Sequence, residues 1–392
     1  MATPTVEINP DVIRWAIDRS GLPEEELRKN FKKIDDWMTG ARHPTYRQLE
    51  NFAKKTMTPF GYLFLDQPPE EELAIPDYRT IGDTPIERPS PNLIDTIHAM
   101  QKRQAWMREF LIENGRGKLE IVGAGTRIRS FKSLAQRIRQ KLELPADWAE
   151  PLATWEDALR TLRSAIERAG ILVFSNSVVG MNNHRNLDPE EFRGFVLCDE
   201  YAPLIFVNDA DSKSARMFTL SHELAHVWLN ADGLFNLVQM MPKNDDLETF
   251  CNSVAAEFLI PSYKLRERWE EATRTNRPFN TIARWFKVSP VVAARRALDL
   301  RLITKPQFFG FYEEDQADWR ARKARQRKAK GGPSPYVVAD SRLSRRFVSA
   351  LVSATREGRT LYREAYGLTD MKGETFNRYA DLVIQRMKHE RQ

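Results

Sequence analysis

One helical segment with two histidines and a glutamate constrains this chain more than any other feature. The segment SKSARMFTLSHELAHVWLN carries His222 and His226 four residues apart, and its apolar residues recur at helical spacing. Side chains four residues apart leave the same face of a helix one turn apart, so both imidazoles can reach one metal ion. Ser212 precedes the segment as a suitable N-cap. The pattern therefore predicts a helix that presents two metal ligands on one face.

Glu223 lies between the two histidines. In this arrangement the glutamate does not bind the metal, but takes a proton from a water molecule that Zn2+ activates. The chain has only six histidines, and the chance of this five-residue pattern arising by accident is on the order of one in a hundred. The alternative is a pair of solvent-facing or core histidines on an amphipathic helix. We favour a mononuclear zinc hydrolase with Glu223 as its general base.

The third metal ligand is expected on the next predicted helix, LETFCNSVAAEFLI. A catalytic zinc site takes three protein ligands and leaves the fourth position for water. Small residues such as Ala255 would let this helix lie close to the first one, and Pro261 discourages its continuation. Glu248 on its first turn would face the metal, whereas Glu257, more than two turns later, would point elsewhere or lie too far along the axis.

These two helices resemble the ImmA/IrrE metallopeptidases, bacterial and phage proteins that cleave transcriptional repressors in response to stress or mobile-element signals. In that family the glutamate ligand precedes a Cys/Ala-Asn pair and a run of small residues that ends in an apolar-proline step. The corresponding residues here are Glu248, Cys251, Asn252, Ala255, Ala256 and Pro261. The resemblance covers residues 170–311 and implies an α+β, thermolysin-like zincin fold, with a small sheet beside the metal-binding helix.

The sequence before the metal-binding helix agrees with an α+β domain. Two helical patterns, SFKSLAQRIRQKL and TWEDALRTLRSAIERAG, lead into the β-rich runs ILVF, FRGFVLC and PLIFVN.

Peptide hydrolysis also needs a donor that stabilises the oxyanion. His184 and Tyr201 lie near these predicted strands, where a peptide could add by strand pairing, and are candidates. A purely structural role is the alternative for each. Cys251 is interpreted as a packing residue and not as a ligand.

The N-terminal segment predicts four short helices and resembles the phage-repressor (Xre-type) helix-turn-helix. That family's Trp-x-x-Gly turn followed by Pro-Thr corresponds to Trp37, Gly40, Pro44 and Thr45. Candidate nucleic-acid contacts are Lys32, Lys33, Arg42 and Arg47. Asp35 and Asp36 lie where the family places its recognition helix, and phosphates would repel them. DNA binding, protein docking and a structural role all stay open for this module.

Composition shifts, together with what the two family resemblances imply, divide the chain into six segments. We predict an Xre-like module at 1–67, a proline-rich bridge and long helix at 68–129, a zincin-like peptidase domain at 130–278, a helix-turn-helix-like segment at 279–311, a basic linker at 312–335 and a C-terminal helical module at 336–392. In the last module, Gly358 and Gly367 are expected to stop helices. Much of the formal charge of +6 lies in the basic run DWRARKARQRKAK, which we interpret as a solvated linker or helix end.

Bulk properties predict a multi-domain globular protein of the cytoplasm. The chain is 42% hydrophobic and 29% charged, so it is too apolar to be disordered. No run of about 18 apolar residues occurs, the N-terminus lacks the pattern of a secretory signal, and we expect no membrane partner. With only two cysteines, Cys198 and Cys251, the sequence indicates no disulfide framework.

Three functions are consistent with these features. The first is a zinc endopeptidase that cleaves a specific protein, such as a repressor or a cognate toxin, in stress, toxin-antitoxin or phage-defence regulation. The second is an antitoxin-like regulatory binding protein with a dormant zinc site. The third is a DNA-binding regulator, whose mark would be operator binding with a steep salt dependence. The Glu223→Gln variant separates the first from the second, because only catalysis needs the general base.

Overall fold

Helices predominate in the computed structural model, which describes residues 4–71, 89–231, 233–235, 246–325 and 335–389. The chain forms two compact units, Met1–His98 and Ala99–Gln392. Helices and one small mixed sheet give an α+β fold, as the sequence predicts. Among the described residues, no helix combines the length and the hydropathy that crossing a bilayer requires.

The first unit contains the four short helices that the sequence predicts. They are α1 (Pro10–Ser20), α2 (Glu24–Asn30), α3 (Ile34–Thr39) and α4 (Tyr46–Thr56), followed by a 3₁₀ helix (Phe60–Phe64) and the start of α5 (Pro91–Glu113). Helix α4 begins with a capping box, in which Thr45 accepts from the backbone of Gln48 and the Gln48 side chain accepts from the backbone of Thr45. The rings of Trp37 and Phe52 meet edge to face in the core of this unit.

Three of the four candidate nucleic-acid contacts of this unit lie just before or just after a very short helix. Helix α3 has six residues, Lys32 and Lys33 precede it, and Arg42 follows it. The Arg42 guanidinium lies 3.5 Å from the carboxylate of Asp36, so part of its charge is offset. Arg47 is exposed on α4. DNA binding and the likeness to an Xre-type module stay predictions.

The second unit is built from one four-stranded sheet, a hairpin and helices on both sides. The elements before and within the sheet region are α6 (Phe131–Lys141), α7 (Trp155–Arg168), β1 (Leu172–Asn176), β2 (Val178–Val179), β3 (Asn182–Asn186), β4 (Gly194–Leu197), β5 (Leu204–Asn208), α8 (Lys213–Leu229) and β6 (Gly233–Phe235). The predicted helices and β-rich runs of this region are confirmed. The strand order is β1-β5-β4-β6, with β1 parallel to β5 and the other pairs antiparallel.

Helices form the rest of the second unit. They are α9 (Asp246–Leu259), α10 (Ser262–Glu267), α11 (Trp269–Thr273), α12 (Pro278–Phe286), α13 (Pro290–Asp299), α14 (Lys305–Arg325), α15 (Pro335–Arg342), α16 (Arg345–Arg356), α17 (Tyr362–Thr369) and α18 (Gly373–His389). Residues of α12 and α13, including Ile282 and Ala293, belong to the same hydrophobic core as α6 to α9. The predicted boundary at 278 therefore lies within one continuous core.

Both faces of the sheet are covered, which explains why β5 is buried at every position. Ile205 and Val207 point into the core that α8 contributes to. Phe206, between them, points to the opposite face and stacks on Phe195 with ring centroids 5.0 Å apart. On that second face, Phe174 of β1 meets Phe347 of α16. The C-terminal helices therefore pack against the sheet.

Two buried or half-buried arginines attach the C-terminal helices to the rest of this unit. Arg163 of α7 donates to the carbonyls of Val173, Ser341 and Leu343. Arg103 of α5, buried, donates to the carbonyl of Leu368 at 2.8 Å and to the carboxylate of Asp370 at 2.8 Å. Each guanidinium thus donates hydrogen bonds to acceptors from more than one part of the fold.

The predicted helix stops in the C-terminal module are only half right. Helix α16 ends just before Gly358, which has a φ of +75°. Gly367, in contrast, lies within α17, and that helix continues to Thr369 before Asp370 takes a φ of +57°. Leu368 and Thr369 are buried, so packing outweighs the low helix propensity of the glycine.

Parts of two predicted connections lie outside the described residues. These are residues 72–88 of the proline-rich bridge and residues 326–334 of the predicted basic linker. The beginning of the predicted basic linker is helical, because α14 continues to Arg325. The predicted domain boundaries otherwise stay predictions.

Candidate metal centre

Local sequence signals determine where the metal-binding helix α8 begins and ends. Ser212 accepts a hydrogen bond from the backbone of Ala215, so the predicted N-cap is confirmed. Asn230 ends the helix in the left-handed conformation, with a φ of +53°. Leu220, Leu224 and the other apolar residues of the stripe are buried against the sheet and the surrounding helices. This packing places His222, Glu223 and His226 inside the domain.

Helix α9 packs against α8 and supplies the third group of the centre. Cys251 and Ala255 are buried, and these small residues allow the two helices to approach closely. The helix ends at Leu259, two residues before Pro261, as predicted. Because α9 runs beside α8, its first turn brings Glu248 to the two histidines.

Three potential ligand atoms converge on one point. His222 Nε2 and His226 Nε2 are 3.0 Å apart. Each is 3.1 Å from an oxygen of the Glu248 carboxylate. His222 is 0% exposed and His226 2%, whereas the side chain of Glu248 is 29% exposed. The group can therefore hold one metal ion with the carboxylate toward the solvent side.

The donor set fits a zinc ion in particular. Two imidazole nitrogens and one carboxylate oxygen are the donors of many catalytic zinc sites, and three of them leave one position for a reacting molecule. Two donors at tetrahedral positions around zinc lie roughly 3.3 Å apart, given metal–ligand distances of about 2.0 to 2.1 Å. The observed spacings of 3.0 and 3.1 Å are close to that value.

Electrostatics at the centre also suit a metal ion. Burial lowers the pKa of His222, which favours the neutral imidazole that a metal requires. Burial alone would raise the pKa of Glu248, but its contacts with His222 and His226 outweigh burial and hold this pKa below its usual range. Glu248 is therefore a carboxylate at neutral pH and places a negative charge beside the two imidazoles.

Glu223 occupies a distinct environment from the three ligand groups. Its side chain is fully buried, and within the described part of the chain neither carboxylate oxygen has a hydrogen-bond partner. Burial raises the pKa of this carboxyl well above its usual range, and the nearby charge of Glu248 adds to the effect. A carboxylate held without partners next to a metal centre is suited to accept a proton.

Gly194 of β4 leaves the space in which Glu223 lies. A Cβ atom at this position would lie 2.6 Å from Thr219 Cγ2, 2.8 Å from the carbonyl oxygen of Phe206 and 3.3 Å from Glu223 Oε1. The backbone of Gly194 is not left-handed, so space and not conformation requires the glycine. Gly194 could not be identified from the sequence, because nothing local marks a glycine at the start of a strand as a neighbour of Glu223.

We expect the Gly194→Ala variant to be destabilised by about 1–3 kcal/mol, the usual cost of overpacking a core. The added methyl group collides with the side-chain methyl of Thr219 on α8 and with the backbone carbonyl of Phe206, and the carbonyl cannot rotate away without moving β5. The midpoint of chemical denaturation measures the effect. Gly310→Ala is the control, because nothing lies within 4 Å of a Cβ at that helical position. Equal midpoints for wild type and Gly194→Ala would show that α8 tolerates the methyl group.

Glu257, the other acidic residue considered on α9, serves a different purpose. Its carboxylate pairs with the guanidinium of Arg296 on α13 and accepts hydrogen bonds from the backbone and the hydroxyl of Ser262. Both members of the ion pair are almost fully buried, with side chains 4% and 3% exposed. Glu257 therefore connects α9 to α10 and α13 and points away from the histidines.

The two candidate oxyanion donors have no described contact with the metal-binding residues. His184 is exposed on β3 of the separate two-stranded hairpin. Tyr201 lies in the connection between β4 and β5, and the guanidinium of Arg108 covers its ring at 5.5 Å. Gly194, which Glu223 approaches, is the first residue of β4, whereas Tyr201 follows Leu197 at the other end of that strand. Their role as oxyanion donors stays a prediction.

Comparison with known protein families identifies two parts of the chain. Residues 166–298, which contain the sheet, α8 and α9, match the Peptidase_M78 family model, described as an IrrE N-terminal-like domain. This segment is similar to the Peptidase_M78 domain. Residues 343–381 match DUF8813, a domain of unknown function. No curated protein matches the chain.

The M78 match confirms the resemblance to the ImmA/IrrE family that the two helices indicate, and it agrees with a zincin-like fold. The M78 domain includes α12 and most of α13, so it extends beyond the predicted boundary at 278. The DUF8813 segment covers α16, α17 and the first half of α18, within the predicted C-terminal module. The M78 family indicates a metallopeptidase, and the group formed by His222, His226 and Glu248 is where its metal would bind.

Proposed function

We propose that the chain is a zinc-dependent endopeptidase that cleaves one or a few specific proteins. The observation that carries the proposal is the convergence of His222, His226 and Glu248 on one point beside the unpartnered carboxylate of Glu223. A structural zinc site is closed by four protein ligands, whereas three ligands next to a general base are typical of a hydrolase. The M78 match supports the same reaction class.

Each of the four residues has a distinct role in this proposal. His222, His226 and Glu248 hold the metal, which when bound polarises the scissile carbonyl and the attacking water. Glu223 accepts the proton of that water and later delivers it to the departing amine. The burial of Glu223 assists both steps, because a desolvated carboxylate with a raised pKa holds a proton more readily. His184 and Tyr201 are the proposed oxyanion donors.

The burial of the centre supports a narrow substrate range. His222 and Glu223 have no exposed surface, so a substrate must fit closely or move part of the surrounding structure to reach them. We propose a cytoplasmic protein substrate, either a transcriptional repressor or a cognate partner such as a toxin. Cleavage would then serve stress, toxin-antitoxin or phage-defence regulation. The N-terminal module would dock the substrate or bind DNA at the regulated site.

The proposal predicts a short set of new protein N-termini in host cells that express the active chain. Proteome-wide mass spectrometry compares cells that express wild type with cells that express Glu223→Gln at an equal level. We expect a few cleavage sites in wild type only, because the variant lacks the general base but keeps all three metal-binding residues.

Metal analysis of both purified proteins is the control for this comparison, because equal zinc contents ensure that only the base differs. Purified wild-type protein should then cleave the identified substrate in vitro. Identical N-terminal profiles from cells in which the regulated response has been triggered would contradict the peptidase. They would instead favour a regulatory binding protein with a dormant zinc site.

A further inference from the structure

We propose that Asn252 is the residue that positions His222 for metal binding, an inference that deepens the proposed function by assigning a residue to the same centre. Asn252 lies on α9 one turn after Glu248, so both side chains leave the same face of the helix. Its Oδ1 atom lies 3.1 Å from Nδ1 of His222. Helix α9 therefore contacts the centre twice, once with a ligand and once with a group that holds a ligand.

The chemistry of this hydrogen bond determines which nitrogen of His222 can bind the metal. An amide oxygen only accepts hydrogen bonds, so Nδ1 of His222 must carry the proton. In a neutral imidazole the lone pair is then on Nε2, the atom that lies 3.1 Å from Glu248 and 3.0 Å from His226 Nε2. Asn252 thereby selects the tautomer and the ring orientation that direct Nε2 toward the metal.

The second histidine does not have an equivalent partner. Nδ1 of His226 is buried, and it has no hydrogen-bond partner among the residues that the structure describes. The tautomer of His226 is therefore not selected by a side chain in the same way. His222 is therefore the histidine of the pair whose Nδ1 atom has a side-chain hydrogen-bond partner on the neighbouring helix.

The neutrality of Asn252 has its own consequence for metal affinity. A carboxylate that accepts from a metal-binding imidazole raises the basicity of the ring, and thereby its strength as a ligand, more than a neutral amide does. An aspartate at position 252 should preserve the orientation and strengthen the ligand. A leucine of similar size should remove both the acceptor and the tautomer preference.

The test measures Zn2+ affinity of the metal-stripped full chain by competition with a chromophoric chelator. Asn252→Leu is expected to bind Zn2+ about 10–100-fold more weakly than wild type, the usual effect of removing an outer hydrogen-bond partner. Asn252→Asp is expected to bind at least as tightly as wild type. Ser253→Ala is the matched control, since Ser253 is on the same helix and, among the described residues, donates to the carbonyl of Thr249.

Circular dichroism and thermal unfolding of the metal-free proteins establish that the variants are folded. Affinity of Asn252→Leu within twofold of wild type would overturn the proposal. If Asn252→Leu does not fold, the Zn2+ affinity of Asn252→Asp tests the proposal alone. Weaker Zn2+ binding by Asn252→Asp than by wild type would then overturn the proposal. Because the measured quantity is Zn2+ binding, absence of proteolysis in wild type would overturn the proposed peptidase and leave this inference in place.

Discussion

Replacing Glu248 with alanine is expected to weaken Zn2+ binding by more than about 100-fold, which exceeds the usual effect of losing a residue outside the ligand set. The reason is that the carboxylate supplies one of three converging donors and the negative charge that offsets the cation. Its side chain is 29% exposed, so its removal leaves no large cavity and the fold should persist. Proteolysis should disappear together with the metal.

Zinc content after dialysis and affinity by chelator competition measure this loss. Asp246→Ala is the matched control, because Asp246 is an acidic, exposed residue on the same first turn of α9 and does not belong to the metal-binding group. It should keep wild-type affinity. Unchanged zinc affinity in Glu248→Ala would show that another residue supplies the third ligand.

A second large effect is expected far from the metal, at the buried ion pair of Glu257 and Arg296. Replacing Arg296 with methionine should lower the free energy of unfolding by about 3–5 kcal/mol, because it leaves the carboxylate of Glu257 buried and unpaired. Arg296 also donates to the carbonyl of Ile260. One substitution therefore removes two contacts of α13, one with Glu257 on α9 and one with Ile260 just after α9. Chemical denaturation of the metal-free protein measures the change.

The neighbouring arginine provides a sharp comparison. Arg295 is on the same helix, and its ion pair with Asp299 is partly exposed, with side chains 31% and 38% exposed. Arg295→Met should therefore change stability by no more than about 0.5 kcal/mol. If the two methionine variants lose similar free energies of unfolding, then burial does not determine how much the Glu257–Arg296 pair contributes to stability.

These two predictions assign separate roles to two glutamates of one helix. Position along α9 was enough to prefer Glu248 from the sequence, since the first turn and the third turn cannot both face the same two histidines. The partner that Glu257 actually has could not be predicted in this way. Arg296 is 39 residues further along the chain, and only the packing of α13 against α9 brings the two side chains together.

Local signals account for most of the elements that were predicted correctly. The spacing of His222 and His226, the N-cap at Ser212 and the proline after α9 each act within a few residues, so they could be recognised without the fold. Gly367 shows the limit of such signals, because a buried turn of helix α17 forms in spite of its low propensity. The roles of His184 and Tyr201 stay predictions, because a position near a strand does not specify which groups a side chain contacts.

The sequence by itself determined the helix that carries His222, Glu223 and His226, and it was enough to prefer Glu248 as the candidate third ligand. These follow from helical periodicity and the chemistry of the residue types, which do not depend on the rest of the chain. The tertiary structure alone decided that Asn252 meets His222, that Gly194 leaves space for Glu223 and that the C-terminal helices cover the second face of the sheet. Each of these is a contact between segments distant in sequence, and such contacts depend on how helices and strands pack.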